Sequence, residues 1–516
     1  MVSDSGLPTC RRSVADTIFT VFSRGRFLLA AILAASFLCQ SWASAAAPQP
    51  VVRGNGIFDA LTAKRFVPHG VNFPGYEYAR QQGWGYGAEG TEPDDVASTV
   101  AAMASWKINT VRLPLNQDCW LGLNGLPADD LTFNELTMAG YRQSIQNFVE
   151  ALNRAGIVAI LDLHWSNPDG NVADGLRPMP DQHAPAFWRS VATRFGENRS
   201  VIFDLFNEPH SRWSGGAKVF GLSWQCWANG GCHAPADPDT IPFTGPGKYQ
   251  AVGLKRLVSA VRDSGAVQPI LLSGIDYAND LRGWRDHAPD DDQLIAGFHN
   301  YPVQRCRTVR CWDEEIAPLA REVPVLAAEF GQNDCDSPGH VRRFMEWADG
   351  HLIGYLAWAW WDLPDLGCSN FALVSDLDGT PLAPVGTTFH EHLANLPEEL
   401  PEPPKRGAPG LVIRTAQWNG KRLRLAIRVD PAASKAATAR VRLIRNRRVR
   451  HRPRRKTRRI TRRLKPGTGL ARLTLRIPRG LKPVLVTVTY PGDRHLTPGR
   501  VRRKPASVSM LTRQKT

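Results

Sequence analysis

Two glutamates 121 residues apart, Glu208 in VIFDLFNEPH and Glu329 in AAEFG, each close a short apolar run. Cleavage of a glycosidic bond needs two carboxyl groups in different protonation states. One hands a proton to the leaving oxygen, and the other, ionised, attacks the anomeric carbon or activates water. A lone glutamate at such a place is more often a salt-bridge partner. These two have company: Arg112, His164, Asn207, His299, Tyr301 and Trp361 also stand where apolar runs stop. A core would continue with Val, Ile or Leu, so the polar residues are the candidate site.

The runs themselves must bring these side chains together. Eight of them, at 69–73, 110–115, 158–164, 201–207, 269–274, 294–301, 323–330 and 353–361, recur through residues 48–396. Between them lie segments of helical periodicity, among them 94–106, 141–155 and 249–264. Near-continuous apolar strands alternating with helices predict a parallel sheet covered on both faces. Eight such units in one stretch predict an α/β fold, a (β/α)8 TIM barrel, whose carboxyl-terminal strand ends carry the chemistry. An open doubly wound sheet usually has a Gly-rich turn after its first strand, and none is present here. His69, at the start of the first run, reads as structural.

The segment at 201–210, with its Asn-Glu-Pro core, resembles the signature of glycoside hydrolase family 5, the cellulase-type family of clan A. The other strand ends resemble that family in the same order: VRLPL with Arg112, LDLHW with His164, FHNY with His299 and Tyr301, AAEFG with Glu329, and AWAWWD with Trp361. The resemblance implies a retaining β-glycosidase acting through a glycosyl-enzyme, with Glu208 as general acid/base and Glu329 as nucleophile. Retention implies carboxyl groups about 5–5.5 Å apart. Asn207 is then expected to hold the 2-hydroxyl of the reacting sugar, and His164 and His299 to orient the glutamates. Arg112 and Tyr301 would flank Glu329, and Trp361 would stack on the sugar. Family members cleave cellulose, mannan, xylan-type chains, other β-glucans and some glycolipids. The Asp118-Cys119-Trp120 segment and the long 211–247 insertion match no specificity pattern, so the β-linked oligo- or polysaccharide partner stays open between an endo-β-glucan and these others. A transglycosylase on the same site, or a non-catalytic carbohydrate-binding envelope protein, are the alternatives. No cofactor motif, CxxC pair or Cys/His cluster is present, so neither a cofactor nor a metal is expected.

The 516 residues exceed one ordinary domain, and the charge divides them. Residues 1–400 hold 30 Lys and Arg against 45 Asp and Glu, whereas residues 401–516 hold 34 against 3. A Pro/Glu-rich linker at 397–409 separates the two parts. Beyond it, β-branched runs at 423–429, 439–444, 471–477 and 484–490 predict a small antiparallel sandwich at 410–505, with an Arg-dense hairpin or loop at 445–465 and a disordered tail at 506–516. VTVTYPGDRHLTP at 486–498 resembles the end of bacterial immunoglobulin-like repeats. Such a basic domain is expected to meet an anionic cell-envelope surface. Nucleic acid is a poor partner, since 442–465 contains no Phe, Tyr or Trp to stack on bases.

At the start, Arg24 and Arg26 precede an apolar run, 27–39, and an Ala43-Ser44-Ala45 site. That order predicts a signal peptide over 1–45 and a secreted protein with no transmembrane span. Export permits disulfides. Cys226–Cys232 and Cys306–Cys311 are expected as local bridges and Cys335–Cys368 as a third, with Cys119 free.

Overall fold

The computed structural model describes residues 46–127, 134–239, 247–361, 367–397, 400, 412–419, 421–428, 437–449, 452–464, 470–479, 481–490 and 499–507. The expected signal peptide and most of the linker lie outside the described residues. The chain divides into two compact units, residues 1–400 and 401–516. No helix among the described residues is long and apolar enough to cross a membrane.

In the first unit eight parallel strands close into a barrel in sequence order. They are β1 (His69–Asn72), β2 (Thr110–Asn116), β3 (Val158–Trp165), β4 (Val201–Asp204), β5 (Ile270–Ser273), β6 (Leu294–Asn300), β7 (Val325–Phe330) and β8 (Gly354–Ala357). Helices such as Val96–Ser105, Met138–Arg154, Ala184–Phe195, Leu254–Arg262, Gly339–Asp349 and Val385–Asn395 cover the outside. One expected helix is shorter than its periodicity suggested. Lys248–Val252 pairs antiparallel with Gly230–Pro235, and Tyr249 and Ala251 alternate into a small apolar cluster, so the helix begins only after Gly253.

Strand alternation sorts the side chains. On β3, Ala159, Leu161 and Leu163 join the outer core against the helices, while Val158 and Ile160 point inward. On β4, Val201 and Phe203 face out and Ile202 faces in. The inward apolar layer, with Leu271, Ile295, Leu326, Ala328 and Leu356, clusters with Val52, Ile57 and Phe66 of the antiparallel strands Pro50–Arg53, Gly56–Asp59 and Arg65–Phe66. These strands plug the amino-terminal end of the barrel. Each fully buried Ile or Leu contributes roughly 1.5–3 kcal/mol. Continuing the same alternation upward, the next inward positions are Arg112, Asp162, His164 and Asp204. The barrel is thus apolar below and polar above. Gly70 is required by the tight fit of β1 to β2: a Cβ there would sit 1.7 Å from the Thr110 carbonyl oxygen.

The second unit contains two four-stranded sheets around one apolar cluster that includes Leu423, Leu425, Val441, Leu443, Val486 and Val488. One sheet runs in the order Leu470–Arg476 (β13), Arg422–Arg428 (β10), Val412–Trp418 (β9), Ala506–Ser507 (β16). The other runs Arg452–Arg463 (β12), Thr438–Val449 (β11), Lys482–Tyr490 (β14), Gly499–Arg503 (β15). The Arg-dense segment is a hairpin, β11 paired with β12 over twelve register positions. The expected disordered tail must be corrected at its start: Ala506 and Ser507 pair with Gln417 and Trp418, because β9 offers them an open edge. Residues 508–516 lie outside the described residues.

Candidate active site

Arg112 organises the upper barrel. It is fully buried, and five acceptors lie within hydrogen-bonding reach of its five N–H groups. Its Nε donates to Asp204 at 2.9 Å. Its Nη1 donates to Asn72 at 2.9 Å and to Glu329 at 2.8 Å. Its Nη2 donates to Asn207 at 2.7 Å and lies 3.0 Å from Asp162. Only a guanidinium offers so many donors in a fixed plane.

The two glutamates receive opposite treatment. Glu329 accepts from Arg112 on one oxygen and from the Tyr301 hydroxyl, at 2.8 Å, on the other. Both oxygens are thus acceptors. Glu208 meets no cation directly. It shares a 2.7 Å hydrogen bond with His299 Nδ1, and burial holds that imidazole down at about 3, so it is neutral. Burial also pushes the Glu208 carboxyl up to about 8, aided by the nearby carboxyls of Asp239 and Asp162 and opposed by Arg112. Glu208 therefore holds its proton at neutral pH. Facing oxygens of Glu208 and Glu329 and His299 Nδ1 all lie within 4.8 Å of one another. These three atoms could together grip a cation, but each already has a hydrogen-bond partner in the network.

A break in alternation aims Glu329. In an unbroken strand, Leu326 and Ala328 facing in would place Glu329 outside. The register of β7 shifts against β8 between Ala327 and Phe330, and against β6 beside His299. The extra residue of this bulge turns Glu329 inward and Phe330 outward into the helix-facing core. Glu208 and Asn207 follow β4, where the Asn207 N–H still donates to the Leu163 carbonyl at 3.1 Å. Asn207 Nδ2 lies 3.5 Å from His164 Nε2, and His164 Nδ1 shares a 2.6 Å hydrogen bond with Asp162.

Above this floor is a cavity of about 620 Å³, lined among others by His164, Asn207, Glu208, Tyr301, Glu329 and Trp358. Arg112 and His299 are fully buried below it and act through the glutamates rather than as wall. Of the residues expected from sequence, Trp361 alone is not brought into the group. Its Nε1 donates to the Asn370 carbonyl and its ring lies edge-on to Trp358, 6.0 Å away. Trp358 takes the wall position, parallel to His164 at 5.5 Å, while Trp360 is buried against Trp106. The reason is that β8 ends at Ala357, four residues before Trp361. Truncating a stacking ring should lose about 0.5–1.5 kcal/mol of sugar binding. Trp358→Ala is thus expected to lower kcat/KM roughly 3- to 10-fold, and Trp361→Ala to change it less, in parallel assays on one oligosaccharide.

Sequence reasoning missed Asn72, Asp162, Asp204, Asp239, Tyr277 and Trp358. Asp162 and Asp204 did leave a signal, a carboxylate inside each of two apolar runs. Asp239 left none. It comes from the 211–247 insertion, accepts a hydrogen bond from Tyr277, and Tyr277 lines the cavity and stacks on His210 at 4.3 Å.

The bridges Cys226–Cys232, Cys306–Cys311 and Cys335–Cys368 all form, and Cys119 is free and buried. They tie the segments that follow β4, β6, β7 and β8, the loops that surround the cavity.

The cellulase (glycosyl hydrolase family 5) family profile matches residues 67–363. Among curated proteins, the endoglucanase MaCel5A of Microbulbifer sp. (strain ALW1) is 20% identical over 325 residues, covering 60% of this chain and 51% of that protein. Endoglucanase Z of Dickeya dadantii is 25% identical over 213 residues, 41% of this chain and 43% of that protein. The chain thus spans about half the length of these relatives or less. Among solved structures, the native β-glucanase SdGluc5_26A of Saccharophagus degradans superposes with a TM-score of 0.50 at 20% identity, covering 69% of this chain and 95% of that one. That likeness shows the barrel fold. With a family match that spans most of the barrel and all eight strands, this chain belongs to the cellulase family, glycosyl hydrolase family 5, a family of glycosidases.

Proposed function

We propose that the chain is a secreted, retaining β-glucan hydrolase of endoglucanase type. The observation that carries this reading is the glutamate pair: oxygens within 4.8 Å, one carboxyl holding its proton and one bound by an arginine and a tyrosine. Inverting enzymes separate their carboxyls by about 6.5–9.5 Å to admit water, whereas retaining ones hold them at about 5–5.5 Å. Glu208 donates its proton to the glycosidic oxygen as a Glu329 oxygen bonds to the anomeric carbon and the bond to the leaving sugar breaks. Glu208, now ionised, takes a proton from water, which attacks the same carbon and releases Glu329. Asn207, held by Arg112 and His164, is placed for the sugar 2-hydroxyl.

Endoglucanase relatives and a β-glucanase neighbour, for which a complex with cellotetraose is known, support a β-glucan as substrate. Release of reducing ends from soluble cellulose, mixed-linkage β-glucan, mannan and aryl β-glucosides tests it. Cleavage of the first two in preference to mannan is expected. Cleavage of mannan alone would overturn the glucan assignment.

The pH dependence follows from Glu208. Its carboxyl is raised, so kcat/KM should fall as pH passes about 8 and the proton is lost. Asp239→Asn removes one of the charges that resist this ionisation, and the alkaline limb should move to lower pH. An unmoved limb would mean that another group sets it.

The second unit is read as an immunoglobulin-like sandwich. Its first, second and fifth strands share one sheet and its third, sixth and seventh the other, as in the immunoglobulin sandwich, whereas the fourth, β12, pairs with the third instead of joining the first sheet as in constant-type domains.

A further inference from the structure

One sheet of the second unit presents an arginine lattice on its outward face. On β11, Val441 and Leu443 face the core, so Arg440 and Arg442 face out. Arg442 stands directly opposite Arg459 on β12. On β14, Val486 and Val488 face the core, and Thr487 and Thr489 stand opposite Arg502 and Arg500 of β15. Arg440, Arg442, Arg459, Arg500 and Arg502 are all exposed and line one shallow depression of about 380 Å³. Strand geometry spaces them by about 5 Å across the sheet and about 7 Å along it.

Among the described residues of this unit no carboxylate neutralises the lattice. Residues 401–516 contain three carboxylate side chains against 34 Lys and Arg, and none of the three belongs to the described residues. Like charges directly opposite each other destabilise a sheet, as Arg442 and Arg459 do here. A polymer carrying an anion every few ångströms would relieve that repulsion, and guanidinium forks grip carboxylates in pairs of hydrogen bonds. Among the described residues that line the depression there is no aromatic ring for stacking on bases, and its apolar members, Val441 and Leu485, are buried and half-buried.

We propose that this face binds an acidic polysaccharide through its carboxylate groups, anchoring the enzyme beside its glycan substrate. The choice of a polysaccharide among polyanions rests on the glycan-cleaving reading of the barrel. Tethering would raise the local concentration of the barrel at the polymer without any change in its own site.

The test measures binding of the full chain without turnover, so a failure to hydrolyse β-glucan would not affect it. Probes are polygalacturonate, neutral dextran, duplex DNA and phosphatidylglycerol vesicles, across a salt series. The first variant carries Arg440→Gln, Arg442→Gln, Arg500→Gln and Arg502→Gln. The control loses equal charge from the outward face of the other sheet, with Arg422→Gln, Arg424→Gln, Arg472→Gln and Arg476→Gln. Polygalacturonate should bind and weaken as salt rises, and dextran should not bind. Four exposed pairs at a factor of roughly 2 each predict about a tenfold loss or more in the first variant. The control makes no direct pairs at this face and acts only through screened long-range charge, so it should lose less than about threefold. Equal losses in the two variants would assign the effect to diffuse charge and overturn the proposal. So would tighter binding to DNA or vesicles than to polygalacturonate, or binding that ignores salt.

Discussion

Glu329→Ala is expected to lower turnover by about 10⁴-fold or more, because in the proposed double displacement it removes the atom that bonds to the anomeric carbon. The variant should still fold, since Glu329 lies at the cavity and its loss leaves Arg112 with Asp162, Asp204, Asn72 and Asn207. The space it leaves opens beneath the anomeric carbon. Added azide can enter there and attack the sugar while Glu208 still protonates the leaving group. The product should be a glycosyl azide of inverted configuration, read by NMR on an activated aryl glycoside. Glu208→Ala with azide should instead give the retained configuration, since Glu329 still forms the glycosyl-enzyme. Exchange of these two outcomes would swap the roles of the glutamates.

The second large effect is expected at Arg112. Arg112→Met leaves Asp162, Asp204 and Glu329 gathered around an apolar side chain with no counter-charge. Removing one partner from a buried ion pair costs about 3–5 kcal/mol. Burial already raises the Asp162 and Asp204 carboxyls, with Arg112 opposing it. Without the arginine both should rise further and take up protons in the folded state. A carboxyl raised on folding is tolerated at acid pH and costs stability as pH climbs through its folded value. The destabilisation should therefore be larger at pH 8 than at pH 5. Tryptophan fluorescence during urea unfolding reads this in the barrel, since 14 of the 16 tryptophans lie between Trp84 and Trp361. A loss that is equal at both pH values would mean that the acids keep their charge by other means. Arg112→Lys should recover part of the stability and little activity, since an ammonium has three donors for five acceptors.

Much of this site could be read before any coordinates. Polar residues at the ends of apolar runs pointed to Arg112, His164, Asn207, Glu208, His299, Tyr301 and Glu329, because a barrel strand that is buried on both faces has few other reasons to stop on such side chains. Geometry that depends on exact phase was not readable. The bulge that turns Glu329 inward shifts the register by one residue, and no residue type in AAEFG marks it. The same sensitivity hid which ring reaches the cavity: with three tryptophans in AWAWWD, only the end of β8 at Ala357 shows that Trp358 lines it. Asp239 was out of reach for another reason. Its insertion folds through Cys226–Cys232 and a strand pair before the carboxyl meets Tyr277, and such long-range contacts leave no local pattern.

In the second unit the alternating strands near 423–429, 439–444, 471–477 and 484–490 were legible, whereas Val412–Trp418 and Ala506–Ser507 were not. Val412–Trp418 pairs with β10 through a register shift between Ile413 and Thr415 that breaks its alternation, and Ala506–Ser507 is too short to show any period. The charge asymmetry was plain in the composition, but its arrangement as a lattice on one face appears only with the register of β11, β12, β14 and β15.

The most direct test of the central claim is the anomeric configuration of the first product. Cellotetraose hydrolysis followed by ¹H NMR in the first minutes should show the β-anomer accumulating ahead of the α-anomer, which then grows by mutarotation. The α-anomer appearing first would mean that water attacks directly, and the double displacement through Glu329 would have to be abandoned.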